Sequence, residues 1–185
     1  MCSSDLITEF PTPTSSPGAI TRGPDGNLWY GAFNVVGRVT PAGAVTEFCV
    51  LNLSNGPGAL PRGITSGSDG ALWFTDFNNN KIMRMTTAGL LHQVIAAPGV
   101  GATSTTNGSG ASDIVMTADG NIWFDQYYDS RVVRLVPNPA AFPAGKKCQT
   151  IAFTSVAPTN ATVGGTTYTP TAVASSGLSV MIHPH

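Results

Sequence analysis

The chain has 185 residues, of which 21 are glycine and 14 are proline, so turn-forming residues occur throughout it. Charged residues make up only 10% and the formal net charge is −1. Because the cations are scattered rather than clustered, we expect no nucleic-acid partner. The 42% hydrophobic share is enough for a packed core, yet no apolar run approaches the ~18 residues that a membrane span requires.

The first six residues have an unusual origin. Met-Cys-Ser-Ser-Asp-Leu, residues 1–6, matches the translation of a common sequencing adapter read from a GTG start. We interpret residues 1–6 as an artefact and expect a truncated gene. No basic segment followed by an apolar segment is present, so the sequence contains no recognisable export signal.

An internal repeat occupies residues 7–138. Each of three copies has a tryptophan three residues after an Asp-Gly pair, and an arginine further along. Asp-Gly favours a tight hairpin turn, because glycine accepts a positive φ there. The aspartates therefore serve turn geometry rather than calcium binding. The recurring residues are Asp25, Asp69 and Asp119, then Trp29, Trp73 and Trp123, then Arg38, Arg84 and Arg134.

Each copy is predicted to contain four short strands. In the second copy, turns at Asp69-Gly70, Asn78–Asn80 and Thr87–Gly89 separate strands over Gly63–Ser66, Ala71–Phe77, Lys81–Thr86 and Leu90–Ala96. Within the second strand, alternate residues are apolar on both faces, with Leu72 and Phe74 on one and Trp73 on the other. A sheet with two apolar faces must be packed between two neighbours.

Repeated four-stranded units of about 40 to 50 residues indicate an all-β fold, a β-propeller. Three blades leave two apolar faces uncovered, and we therefore expect self-association. Ile7–Phe10 resembles the last strand of the first copy, so we predict that it is the outer strand of a preceding blade.

The repeat ends at residue 138. Residues 139–148 are rich in proline and alanine and are interpreted as a linker. Residues 149–185 are predicted to begin an antiparallel sandwich, with strands at Ile151–Phe153 and Thr166–Ala174 around a turn at Asn160–Gly165. This segment is under half the ~100 residues of such a domain, so we expect it to be truncated.

The repeat Gly63-Ile-Thr-Ser-Gly-Ser-Asp-Gly-Ala-Leu-Trp-Phe74, with Asn80-Lys-Ile-Met-Arg84, resembles the virginiamycin B lyase (streptogramin lyase) family over residues 7–136. This resemblance implies a seven-bladed ring, of which the chain holds three blades. It also implies elimination at the ester of a cyclic depsipeptide antibiotic, with Mg²⁺ and a His/Glu pair. The start of the last segment, Gln149–Ser155 with Pro158–Gly165, resembles bacterial Ig-like domains of secreted and surface proteins.

The lyase chemistry does not transfer to these three blades. The position that holds the family's histidine is occupied here by Gly18, Arg62 and Ser112, and the position of its acid by Phe33, Phe77 and Tyr127. We therefore predict no catalytic residue, no metal site and no cofactor in this chain, with Mg²⁺ needed only if the parent protein is an active lyase.

Other polar residues at strand ends are candidates for a ligand-facing surface, because loops at strand ends commonly carry function. They are Arg62, Asp76, Asp125, Gln126 and Asp129. His92, His183 and His185 fit no metal pattern. Cys49 and Cys148 could pair in an oxidising compartment, but unpaired thiols are the favoured interpretation.

Two functions follow from these observations. The first is a secreted or cell-surface bacterial recognition module that binds a small molecule, glycan or peptide. The alternative is part of a lyase whose catalytic blades are missing.

Overall fold

A computed structural model describes residues 7–13, 16–50, 58–97, 110–138, 151–155 and 171–175, with only the backbone for residues 93–96 and 151–153. The chain divides into two compact units, residues 1–147 and 148–185. Within the described residues, no helix is long and apolar enough to cross a membrane.

The first unit contains three antiparallel sheets whose strands follow one another in chain order. Blade 1 comprises β1 (Ile20–Arg22), β2 (Leu28–Ala32), β3 (Val35–Val39) and β4 (Val45–Cys49). Blade 2 comprises β5 (Pro61–Ser66), β6 (Ala71–Asp76), β7 (Lys81–Thr86) and β8 (Leu91–Ala96). Blade 3 comprises β9 (Ala111–Met116), β10 (Ile122–Gln126) and β11 (Arg131–Leu135).

These sheets confirm the all-β fold and the partial propeller. Blades 1 and 2 have the four strands expected, and blade 3 has three within the described part of the chain. The hairpin turns also agree with the sequence, because Gly26, Gly70 and Gly120 all have positive φ, from 73° to 80°. The second turn of each blade contains a left-handed residue that is not glycine: Asn34, Asn80 and Ser130.

The blades pack face to face through two apolar clusters. Between blades 1 and 2, Trp29 and Val36 meet Leu72 and Phe74. Between blades 2 and 3, the cluster around Trp73 includes Ile82 from blade 2 and Ile122 and Phe124 from blade 3. All six residues of β6 are buried, so the central sheet is covered on both faces.

The first and last faces are uncovered, as expected. Ile20 is 61% exposed, whereas Ile64 and Ile114, at the same position in blades 2 and 3, are 7% and 9% exposed. At the other end, Val132 is 71% exposed, whereas its counterparts Val36 and Ile82 are at most 1% exposed. Equivalent residues therefore differ only because a neighbouring blade is present or absent.

The expected strand at Ile7–Phe10 is not formed, and this prediction was wrong. A strand needs a hydrogen-bonding neighbour, and no strand lies beside this segment in the described residues. The Phe10 ring nevertheless lies against Gly43 in the last turn of blade 1, just as the Phe48 ring lies against Gly89 in blade 2. The segment thus packs on blade 1 as the outer strand of a preceding blade would, but it lacks that strand's backbone hydrogen bonds to a neighbouring strand.

The second unit contains a two-stranded antiparallel sheet of β12 (Ile151–Phe153) and β13 (Ala172–Ala174). Thr154 N–H extends the pairing by donating to Thr171 O at 2.8 Å. These strands lie within the two segments predicted from the sequence. Residues 160–165 and 166–170, and the linker at 139–148, lie outside the described residues, so the Ig-like assignment stays a prediction.

The first prediction compares two tryptophans at the same position in neighbouring blades. Trp73→Ala is expected to lower the free energy of unfolding by about 3–5 kcal/mol, because a fully buried aromatic side chain leaves a cavity. Trp123→Ala should cost clearly less, because Trp123 is 36% exposed. Denaturant unfolding of both variants measures the difference, and equal losses would contradict the stacking of the blades.

Candidate functional site

Four side chains at the strand ends of blades 2 and 3 form a cluster, which we call the aromatic rim: Arg62, Phe77, Tyr127 and Tyr128. The Arg62 guanidinium lies 4.6 Å from the centre of the Phe77 ring and 5.7 Å from that of Tyr127. Tyr128 contacts both rings, edge-on to Tyr127 at 5.1 Å and tilted against Phe77 at 5.9 Å. Both arginine distances fall within the ~6 Å of a cation–π contact.

Backbone bonds between blade strands and neighbouring loops hold the rim in place. Phe77 N–H donates to Leu60 O at 3.0 Å, and Tyr127 N–H donates to Gly110 O at 3.1 Å. Gly110 has a φ of 51°, and a Cβ there would lie 2.7 Å from the Phe77 ring. Glycine at this position therefore permits both the turn and the close approach of the ring.

The rim combines exposed aromatic surface with an exposed positive charge. Tyr127 and Tyr128 are 61% and 51% exposed, and Arg62 is also exposed. No carboxylate pairs with Arg62 among the residues that the structure describes. The guanidinium can therefore donate to an anion or a carbonyl while the rings contact an apolar or planar group.

Asp76, a predicted ligand-facing residue, lies inside the protein beneath the rim. It accepts from Leu60 N–H at 3.1 Å and from the Asn79 amide at 2.8 Å. Burial raises the pKa of Asp76 above its ordinary value, although these hydrogen bonds oppose the change. Asp76 therefore fixes the loop before β5 and the turn after β6, and so positions the rim.

The other predicted residues are spread over blade 3. Asp125 lies on the uncovered face, where it accepts from Asp113 N–H at 2.5 Å. Gln126 is buried, and its backbone carbonyl oxygen accepts from the backbone N–H of Asp129 at 3.2 Å in the turn after β10. Of the five predicted residues, only Arg62 belongs to the aromatic rim. Asp76 and Gln126 are buried, Asp125 lies on the outer face of blade 3, and Asp129 lies in the turn after β10.

Sequence reasoning did not assign Phe77, Tyr127 and Tyr128 to a site. The signal was an aromatic residue four positions after each tryptophan, namely Phe33, Phe77 and Tyr127. We used these residues only to exclude a catalytic acid. An aromatic residue at the equivalent turn of all three blades is itself a recognition signal, because turns are commonly at the surface.

The structure adds two facts about metal ligands and thiols. Within the described ranges, no group of three or more His, Cys, Asp or Glu side chains is close enough to hold a metal ion. Cys49 is disulfide-bonded, so the favoured interpretation of unpaired thiols was wrong for this residue. Both Cys2 and Cys148 lie outside the described residues.

The second prediction tests how the rim is held. Gly110→Ala should disturb the rim, because the added Cβ would collide with the rings of Phe77 and Tyr128. The positive φ at this position also strains any residue other than glycine. Gly70→Ala is the matched control, with a φ of 73° but nothing within 4 Å of the added Cβ. Both variants should be destabilised by about 1 kcal/mol or more. Only Gly110→Ala should change the near-ultraviolet circular dichroism of tyrosine, and an unchanged spectrum would contradict the packing.

Two solved structures have the same blade architecture. A virginiamycin B lyase from Staphylococcus aureus is 32% identical with a TM-score of 0.54, over 72% of this chain and 46% of that one. A streptogramin B lyase is 29% identical with a TM-score of 0.54, over 69% of this chain and 43% of that one. The chain thus spans less than half the length of either lyase.

Searches of family models and of curated proteins gave no match. The two structural matches agree with the all-β architecture of antiparallel sheets described above. The three sheets of this chain are therefore β-propeller blades of the virginiamycin B lyase type.

Proposed function

We propose that this chain belongs to a longer bacterial propeller protein, secreted or held at the cell surface, in which these blades act as a recognition module. The ligand is a small molecule, glycan or peptide bound at the aromatic rim. These three blades take no part in catalysis.

The observation that carries this proposal is the stacked, exposed arginine. Arg62 lies against Phe77 and Tyr127 without a carboxylate partner in the described residues, so its hydrogen-bond donors are available to a ligand. The exposed rings of Tyr127 and Tyr128 offer stacking surface for a planar or apolar group. A ligand with an anionic or carbonyl group beside such a surface has the matching chemistry.

The residues at the lyase positions support a non-catalytic role for these blades. General acid–base chemistry needs a titratable side chain with a suitable pKa within reach of the substrate. Gly18, Arg62 and Ser112 stand at the histidine position, and aromatic residues stand at the acid position. Neither set can supply a proton-transferring pair near neutral pH.

Two observations support an extracellular location. The disulfide bond at Cys49 is typical of proteins that fold in an oxidising compartment. The resemblance of residues 149–165 to Ig-like domains of surface proteins points the same way. Detection of the Cys49 disulfide in protein purified from its native host tests this part of the proposal.

Part of an active lyase is the second candidate. It is favoured by the similarity to the two lyase structures, which covers 72% and 69% of this chain. In that case Mg²⁺ and the acid–base pair belong to blades outside this chain. The sequence of the full-length gene separates the candidates, because a Pro-His-Gly-Ile segment with a nearby glutamate favours the lyase.

The third prediction concerns binding at the rim. N-acetyl-phenylalanine combines a ring with a carboxylate, and maltotriose and a neutral Tyr-Gly peptide represent the other classes. We expect N-acetyl-phenylalanine to shift the NMR signals of Arg62, Phe77 and Tyr127 at millimolar concentration. Arg62→Ala should weaken this binding about tenfold, since losing a charged contact costs ~1–2 kcal/mol.

Arg134→Ala is the control for that experiment, because Arg134 also stacks on a ring, that of Trp123, but on another face. It should leave the binding unchanged. Equal effects of the two variants, shifts away from the rim, or no binding by any probe would contradict the proposed recognition site.

The fourth prediction concerns activity. The purified chain should not linearise a streptogramin B antibiotic, with or without added Mg²⁺, at a rate above that of buffer. Liquid chromatography of the reaction mixture separates the cyclic and linear forms. Turnover that disappears when a residue of this chain is changed would reject the non-catalytic assignment.

A further inference from the structure

A further exposed ring, Phe33, lies at the position in blade 1 that Phe77 occupies in blade 2. Each phenylalanine directly follows the second strand of its blade, β2 or β6. Each ring also lies against a glycine of the loop that leads into the next blade. An added Cβ would be 2.5 Å from the Phe33 ring at Gly58 and 2.7 Å from the Phe77 ring at Gly110. The aromatic–glycine contact of the rim is therefore repeated one blade away.

One loop holds both rings. The loop before β5 accepts hydrogen bonds from the turn after β2 and from the turn after β6. Ala59 O accepts from the N–H of Asn34, the residue next to Phe33, at 2.9 Å. Leu60 O accepts from Phe77 N–H at 3.0 Å. Phe33 and the aromatic rim therefore belong to one continuous surface with a fixed spacing.

The exposure of this surface does not arise from a missing neighbour. Phe33 lies at the junction of blades 1 and 2, and Tyr128 packs on Phe77 at the junction of blades 2 and 3, so both blades of each junction are present. Phe33 is 50% exposed and Tyr128 is 51% exposed. These rings therefore offer flat platforms to the solvent rather than the walls of an enclosed pocket.

Flat, half-exposed rings favour a sugar over an apolar side chain. An apolar side chain binds tightly only where a concave pocket removes it from water on most sides. One face of a pyranose ring carries C–H groups that pack on the flat apolar surface of an aromatic ring, while its hydroxyl groups stay in water. Among the ligand classes proposed above, a glycan therefore matches this surface best.

Charge and spacing restrict the glycan further. Arg62 has no carboxylate partner in the part of the chain that the structure describes, and its planar guanidinium can donate two parallel hydrogen bonds to a carboxylate. Phe33 and the contact between Phe77 and Tyr128 are one blade apart, and stacked sheets lie about 10 Å from each other. One sugar ring is too small to pack on both, so the ligand has to be an oligomer.

We propose that the aromatic rim and Phe33 together bind an acidic oligosaccharide. A uronic acid carboxylate pairs with Arg62, and another sugar of the same chain stacks on Phe33. This inference rests on the recognition function proposed for the rim and names the class and the minimum length of its ligand.

Isothermal titration calorimetry of the full chain tests the ligand class, which is the fifth prediction. Tetragalacturonate should bind at least about tenfold more tightly than galacturonate, because only the oligomer reaches both subsites. Maltotetraose has the same number of sugars without a carboxylate, and tetraglutamate has carboxylates without a sugar. Each should bind at least about tenfold more weakly than tetragalacturonate, since each lacks one of the two contacts.

Two variants test the second subsite. Phe33→Ala should weaken tetragalacturonate binding about tenfold, towards the affinity of galacturonate. It should leave the binding of N-acetyl-phenylalanine unchanged, which also shows that the rim is folded. Phe10→Ala is the matched control and should alter neither affinity. Phe10 is 48% exposed but lies against Gly43, in the turn between β3 and β4 at the opposite end of blade 1.

Several results would overturn this inference and leave the recognition function of the rim intact. These are binding of N-acetyl-phenylalanine without binding of tetragalacturonate, equal binding of maltotetraose or tetraglutamate, and an unchanged affinity of the Phe33→Ala variant for tetragalacturonate. A lack of binding by every probe, N-acetyl-phenylalanine included, would contradict the proposed function itself and this inference with it.

Discussion

Burial of a tryptophan between two consecutive sheets is the interaction on which the first unit depends. Each blade is a small sheet with apolar side chains on both faces, so it requires a neighbour on each side. Trp29 and Trp73 are fully buried at the two junctions, and each ring N–H donates to the aspartate of its own Asp-Gly turn, at 2.9 and 3.2 Å. The tryptophan therefore joins the turn within a blade to the packing between blades.

The third blade keeps this sequence pattern but not all of its contacts. In blades 1 and 2 the tryptophan ring lies against a glycine, Gly23 or Gly67, where a Cβ would be within 2.6 Å of the ring. Thr117 occupies that position in blade 3, and its hydroxyl donates to Asp119 in place of the Trp123 ring N–H. One side chain thus explains why the third Asp-Gly turn is not tied to its tryptophan. Together with Asp113 and Asp125, which stand where blade 2 has Gly63 and Thr75, it distinguishes the exposed face of blade 3 from the buried faces.

The repeat made most of the fold predictable from sequence. The Asp-Gly turns and the alternation around Trp73 indicate strands, faces and stacking, because these features depend on local chemistry and periodicity. The strand expected at Ile7–Phe10 failed because strand formation depends on a neighbouring strand rather than on the segment's own sequence. Site prediction was less complete for a similar reason. Arg62 was identified from its position at a strand end. Its stacking on Phe77 and Tyr127 was not, because that contact joins residues of two blades. Asp76 was predicted to face a ligand, but it is buried and supports the neighbouring loops.

The central claim is that the exposure of three equivalent tryptophans depends on whether a neighbouring blade covers them. Hydroxyl-radical footprinting with mass spectrometry measures their exposure in the unmodified chain, at a concentration where light scattering shows monomer. The structure predicts rapid oxidation of Trp123 and slow oxidation of Trp29 and Trp73, in line with exposures of 36%, 0% and 0%. Equal oxidation of all three, or faster oxidation of Trp73 than of Trp123, would contradict the stacked arrangement.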